Sequence, residues 1–354
     1  MSHRTLTRRL GRTAAALATI GALALTTGCG PEEAQAASPS EPSEPAAPPA
    51  PVLVPWPLTG VEVEAVPARP ALAVKIENSV AARPQSGLNA ADVIWEQVVE
   101  GGITRFVAVF HSTLPPDIGP IRSVRPMDAA ITGPLKGLFA FSGGQAKYID
   151  AIAGTGAQVL SQGAGAGGFF RLNTRDAPHN VYANPADFLA QVDPAHQTSS
   201  PVGEFSFATA DRQPTAVAAG APAAAVDLKL SPSSYPNWTW SQPDNGWLRS
   251  EGKAPATVAD GARVRAANVV VLRVDVANTG ARDAAGNPVP ETKMVGGGEA
   301  LIASGGSTIA ATWSKASPTD PVILAAPGGA PVELAPGNTW VELVPNGGGS
   351  VTTR

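Results

Sequence analysis

The chain has 354 residues, 25 Lys and Arg against 29 Asp and Glu, and a single cysteine, Cys29. This length accommodates one large or two ordinary domains, and the acidic balance lacks the basic footprint of a nucleic-acid binder. One cysteine allows neither an intramolecular disulfide nor a thiolate zinc site, and the four histidines show no zinc-protease spacing, so neither a metal nor a cofactor is expected.

Arg4, Arg8, Arg9 and Arg12 precede an apolar run from Ala14 to Leu25, and the segment ends Thr26-Thr27-Gly28-Cys29. These are the n-region, h-region and small-residue cleavage site of an export signal over residues 1–28. The run is shorter than the roughly 20 residues of a membrane span. A cysteine directly after the cleavage point resembles a bacterial lipobox, where the thiol is lipidated before the signal is removed. Thr26 stands where that pattern usually has leucine, and plain secretion with a free Cys29 is the competing reading. The expectation is an exported lipoprotein, held by Cys29 to the outer face of the bacterial cytoplasmic membrane. Loss of the signal leaves 21 basic against 29 acidic side chains, a net charge of about −8.

From Pro31 to Pro57, nine prolines stand among 27 residues. Such a segment buries too little apolar surface to fold. Stiff and extended at about 3.1 Å per residue, it would reach on the order of 80 Å, a spacer between membrane and head. A partner-binding role for it is the weaker reading.

The head begins near Leu58. Ala71–Ile76, Asp92–Glu100, Ile103–His111 and Leu138–Phe141 read as strands, and Met127–Leu138 and Lys147–Ala153 as helical, the former interrupted by Gly133-Pro134. Beyond His196 helical periodicity disappears. Short strands alternate with turns: Ala225–Leu230, Asn237–Trp240, Gly246–Ser250, Asn268–Val276, Glu299–Ala303, Thr308–Trp313 and Trp340–Val344. The predicted fold is α+β: a mixed α/β domain over 58–195, then an all-β domain over 196–345, a sandwich or open barrel, and a disordered tail over 346–354.

Gly101-Gly102 between two strands signals a two-residue hairpin. In that register Val98 faces Arg105, and Glu96, Glu100 and Arg105 share one face. Two carboxylates around a guanidinium serve either general acid–base chemistry or a structural ion-pair network, and the network is the preferred reading. Arg122 and Arg125, in Gly119-Pro-Ile-Arg-Ser-Val-Arg-Pro126, form either a fork for an anion, joined by Arg83, Arg171 and Arg175, or local pairs with Asp92, Asp117 or Asp128. His179, followed by Asn180, is a candidate proton carrier or a structural hydrogen-bonding residue. Gly163-x-Gly165-x-x-Gly168 matches the dinucleotide fingerprint by letter but lacks the following long helix and the acid, so it reads as a loop. Ser142 makes no nucleophile elbow. Trp238, Trp240, Trp247, Trp313 and Trp340 either stack on sugars or fill a core, and core burial is preferred.

Lys75-Ile-Glu-Asn78, Ala82-Arg-Pro-Gln-Ser-Gly-Leu88 with Ala91-Asp92, Glu100-Gly-Gly-Ile-Thr-Arg-Phe106, the Gly119–Pro126 segment and Pro178-His-Asn180 resemble the first domain of the YerB-like lipoproteins. Asn268-Val-Val-Val271, Gly296-Gly-Gly-Glu-Ala300, Thr312-Trp-Ser-Lys315 and Gly337–Pro345 resemble its second. Val124 departs from the Ala-like residue common at its position. The resemblance implies a two-domain lipoprotein on the bacterial cell surface and no particular activity. The expected function is an envelope module that binds an anionic or glycan ligand through the first domain. A hydrolase acting on a cell-wall glycan or phosphodiester is the alternative. There Glu100 or Glu96 would move protons with His179, while Arg105, Arg122 and Arg125 hold negative charge. A scaffold for other envelope proteins is the third class.

Overall fold

The apolar runs of the sequence become neighbouring strands of one mixed sheet. The structure, a computed structural model, describes residues 52–354. The signal, Cys29 and the stalk up to residue 51 lie outside them. The last stalk residues already belong to the folded body. Val54–Pro55 pairs with Glu62–Val63, Trp56 meets His111 edge-on at 5.1 Å between ring centroids, and Leu58 is buried.

Eleven strands make the main sheet. Its spatial order is Ala221–Pro222, Ser307–Lys315, Gly296–Ser304, Asn268–Val274, Thr339–Pro345, Val93–Val98, Thr104–Phe110, Leu72–Glu77, Leu138–Phe141 and Gln158–Ser161, with Ile323–Ala325 on Ser307–Lys315. Thr339–Pro345 runs parallel to both its neighbours, and Leu138–Phe141 does the same. The two parts of the sequence meet where Thr339–Pro345 pairs with Val93–Val98, with Trp340 opposite Ile94 and Glu342 opposite Glu96.

Both faces of this sheet are covered, which is why its strands read as nearly continuous apolar runs. Ala73, Trp95, Val107, Phe139 and Val341 point to one face, under Ile131 and Ile152 of the helices Asp128–Thr132 and Ala146–Ala153. Gly133 and Pro134 end the first helix and turn it into the 3-10 turn Gly133–Leu135. Val74, Ile94, Phe106, Ala140 and Trp340 point to the other face. There the helix Pro185–Leu189 lies against Leu72–Glu77 and Leu138–Phe141, and beside it packs a six-stranded antiparallel sheet, built from Ala254–Pro255, Gly246–Glu251, Pro236–Ser241, Ala225–Lys229, Ser350–Thr353 and Arg265–Ala266. Trp238 and Trp247 bring its inner side onto the main sheet. Burial of one such large side chain contributes about 1.5–3 kcal/mol, so two cores of this kind hold the chain without covalent cross-links. The fold is α+β: a mixed, partly parallel sheet with strands from both parts of the chain, few helices, and a separate antiparallel sheet formed by the last part.

Two expectations need correction. The segment 346–354, expected as a disordered tail, forms the strand Ser350–Thr353 on Ala225–Lys229, and Arg354 pairs with Asp227 at 2.5 Å. Val351, Thr352 and Thr353 are β-branched, and the glycines before them turn the chain back. The hairpin is also longer than two residues. Val98 pairs with Thr104 and Gln97 with Arg105, leaving Val99–Ile103 as the loop. Gly101 and Gly102 both hold positive φ, 69° and 74°, as the Gly-Gly pair implied. The extra residues are fixed from outside: Ser231 and Ser233 donate their hydroxyls to the Gly102 carbonyl, and Arg125 binds Glu100. The one-residue slip moves Arg105 to the face opposite Glu96.

Candidate functional site

The central strands turn polar at one shared end. Leu72–Glu77 finishes in Lys75 and Glu77, and Val93–Val98 in Glu96 and Gln97, with Glu100 just beyond; Thr104–Phe110 opens with Thr104 and Arg105. Strand alternation sorts these side chains onto two faces.

On the helix-covered face lie Lys75, Glu77, Gln97 and Arg105. Asp128, at the start of its helix, accepts from Lys75 Nζ at 2.7 Å, from Gln97 Nε2 at 2.6 Å and from the Arg125 backbone N–H at 2.7 Å. Burial pushes the Lys75 ammonium down to about 8 against the attraction of Asp128. Arg125 Nε donates to Glu100 at 2.5 Å. Arg122 Nε is 3.4 Å from Glu77 Oε2, and His179 Nδ1 lies 3.0 Å from both Glu77 oxygens. Arg105 has no such partner. Its Nη1 donates to the Ser123 carbonyl at 2.7 Å, and its buried Nε is without a partner. Burial, then Arg125 and Arg122, push its pKa down to about 9.

The segment that carries Arg122 and Arg125 is tied into this end of the sheet. Arg122 N–H donates to the Lys75 carbonyl, Ser142 N–H to the Arg122 carbonyl, and Val124 N–H to the Gly143 carbonyl. The loop therefore crosses the ends of two parallel strands, the place where open α/β sheets present ligand sites. Arg122, Ser123, Ser142 and His179 are half-buried and form the solvent side.

On the opposite face Glu96 meets Glu342 of the neighbouring strand, with one cation, Arg249, between them. Arg249 reaches Glu96 at 2.6 Å, Glu342 at 2.7 Å and Glu251 at 2.8 Å. Its guanidinium lies 4.9, 5.4 and 5.6 Å from the ring centroids of Trp340, Trp238 and Phe106. Asn78 and Thr104 also donate to Glu96, and Trp238 Nε1 to Glu342. Burial, followed by the Glu96 charge, pushes the Glu342 carboxyl well above the usual carboxylate range, against Arg249. A carboxyl raised in the folded state contributes its full stability below its unfolded pKa, about 4.3, and loses it as the pH climbs through the raised value. The stability of Glu342→Gln relative to the wild type should therefore improve steadily from pH 4 to pH 8. Urea titrations at pH 4, 6 and 8 measure it, and parallel pH profiles of the two proteins would exclude Glu342 as the source.

Of the residues singled out in the sequence, Glu100, Arg105, Arg122, Arg125 and His179 gather at one end of one face. Glu96 belongs to the other face. So does Arg83, which pairs with Glu251 at 3.1 Å. Asp92 sits at the far end of its strand and accepts the backbone N–H groups of His111 and Ser112. Asn180 accepts from Arg171 at 2.6 Å. Arg175 donates to the Ala82 carbonyl at 3.0 Å and to that of Pro84. Sequence reasoning passed over Lys75 and Glu77, although both lie in a quoted motif, and Arg249, Glu251 and Glu342, which no spacing connects to Glu96. Trp238, Trp247, Trp313 and Trp340 are core residues, whereas Trp240 is half-buried. Among the described residues no group of three or more His, Cys, Asp or Glu side chains is placed to hold a metal ion, and no helix is long and apolar enough to cross a membrane.

A curated protein of Bacillus subtilis (strain 168), "Putative lipoprotein YerB", is 33% identical over 166 residues, which make up 45% of this chain and 49% of that protein. The chain thus spans about half the length of this curated relative. The crystal structure of the YerB protein from Bacillus subtilis is similar with a TM-score of 0.70, covering 84% of this chain and 99% of that one at 23% identity, a likeness of fold alone. Residues 58–198 match the N-terminal domain, and residues 226–341 the C-terminal domain, of a family described as proteins of unknown function (DUF3048). The chain belongs to this family.

Proposed function

We propose that the head binds an anionic ligand at the polar end of the helix-covered face, and that it does so at a bacterial cell envelope. Lipidated Cys29 and the proline-rich stalk would hold it there, a view supported by the signal pattern and by the name of the Bacillus relative. The carrying observation is Arg105. It is 5% exposed, flanked by Arg122 and Arg125, and makes no ion pair among the described residues. Glu77, Glu100 and Asp128 are already engaged by Arg122, Arg125 and Lys75. Glu100 and Glu77 attract Arg105 without pairing with it; a desolvated cation without a paired carboxylate is costly, and an anion drawn in beside Ser123 offsets that cost while forming charge-assisted hydrogen bonds. The half-buried Arg122 and His179 supply further donors on the solvent side.

The purified full chain in detergent, titrated calorimetrically with inorganic phosphate and with anionic cell-wall polymer fragments, tests this. Arg105→Met keeps the stem and removes the charge. It should weaken anion binding at least about tenfold while leaving unliganded stability unchanged or raised by about 1–2 kcal/mol. Wild-type affinity in Arg105→Met, or no binding by either protein, would sink the reading. Fragments released by the wild type but not by His179→Asn would move it to hydrolysis.

A further inference from the structure

At the other end of the strand Val93–Val98, away from Arg105, a groove of about 1060 Å³ opens between segments from the two parts of the chain. We propose that it is a second binding site, for an oligosaccharide that carries free amino groups. This does not rest on the anion site.

The tryptophans carry the first half of the inference. Trp95, Trp238, Trp247, Trp313 and Trp340 are all at most 4% exposed. Of the seven tryptophans, the remaining two, Trp56 and Trp240, are half-buried, and both line this groove. They come from distant places: Trp56 follows the short strand Val54–Pro55, and Trp240 lies in Pro236–Ser241. A sugar ring has an apolar C–H face, and an indole offers a large, rigid surface for it at little entropic cost.

Charge gives the second half. Asp117, Asp244 and Asp260 line the groove, and none of them is in an ion pair among the described residues. Asp260 gives one oxygen to the Ala262 N–H, and Asp244 gives one to the Ser241 hydroxyl. Arg265 is the single cation among the lining residues, and its Nη1 turns to the Asp244 carbonyl. A concave surface with uncompensated carboxylates attracts cations and repels anions. A neutral glycan leaves that charge unanswered. An amino sugar answers it while its ring covers the indoles. A basic peptide answers the charge and can set a cation over an indole, but it brings no apolar ring face to cover the two tryptophans.

The full chain in detergent, titrated with a glucosamine hexamer, its fully N-acetylated counterpart and hexalysine, tests the proposal by tryptophan fluorescence and calorimetry. The glucosamine hexamer should bind about tenfold or more tighter than the acetylated one, and less tightly as salt rises. Trp56→Leu and Trp240→Leu should each weaken it about tenfold. Asp260→Asn, on an exposed residue whose acceptor for the Ala262 N–H the asparagine oxygen keeps, should weaken it several-fold even if a tryptophan variant misfolds. Arg105→Met should bind it like the wild type. The proposal is overturned if the glucosamine hexamer does not bind or the acetylated one binds equally. It is overturned too if hexalysine binds as tightly and loses nothing in Trp240→Leu, the mark of a peptide groove held by charge alone.

Discussion

Arg249→Met should destabilise the protein by about 3–5 kcal/mol, the expected cost of removing one partner from a buried charge cluster. Arg249 is 1% exposed and is carried by Gly246–Glu251 of the smaller sheet, while Glu96 and Glu342 belong to the larger one. Without the guanidinium the two carboxylates face each other across adjacent strands, with only Asn78, Thr104 and Trp238 as donors. Methionine fills the space between Trp238, Trp340 and Phe106, so a cavity is not the source of the loss. Urea unfolding measures the cost. The triple variant that adds Glu96→Gln and Glu342→Gln should recover most of it, because the buried charges then disappear together. A loss under about 1 kcal/mol in Arg249→Met alone would show that the cluster does not hold the sheets together.

Asp128→Ala should be nearly as damaging, again about 3–5 kcal/mol. It removes the acceptor of the Lys75 ammonium, the Gln97 amide and the Arg125 backbone N–H at once. The reverse deletion should be milder. Lys75→Met leaves Asp128 with two donors, and Lys75 is already pushed by burial to about 8, close to giving up its charge. A cost of about 1–2 kcal/mol is expected there. Thermal and urea denaturation of both variants at pH 7 decide the matter, and equal losses would contradict the asymmetry.

The strands were legible because apolar runs in a sheet covered on both faces leave little ambiguity. Leu138–Phe141 and the core of Asn268–Val274 stand where their continuous apolar runs place them. The hairpin register was not legible, because its loop is set by Ser231, Ser233 and Arg125, none of which lies in the hairpin. That slip redistributed the candidate residues: Arg105 joined Arg122, Arg125 and Glu100, and Glu96 went to Arg249. The gathering of arginines around the Gly119–Pro126 segment was visible in composition. The partners of Glu96 were not, since periodicity describes one strand at a time and Glu342 is its neighbour only through sheet pairing. The last strand was overlooked because three glycines outweighed the Ser-Val-Thr-Thr that follows them.

The parallel pairing of Val93–Val98 with Thr339–Pro345 has a consequence for the order of events during synthesis. A ribosome delivers the first of these strands long before the second. Until the chain has passed Pro345, Val93–Val98 has a bare edge in the middle of the future sheet, and Glu96 is without both Glu342 and the completed setting of Arg249. Bare edges invite pairing with other chains. The last strands thus complete the molecule as a keystone completes an arch, and a polypeptide stopped before Thr339 should persist as an adhesive, unfinished sheet.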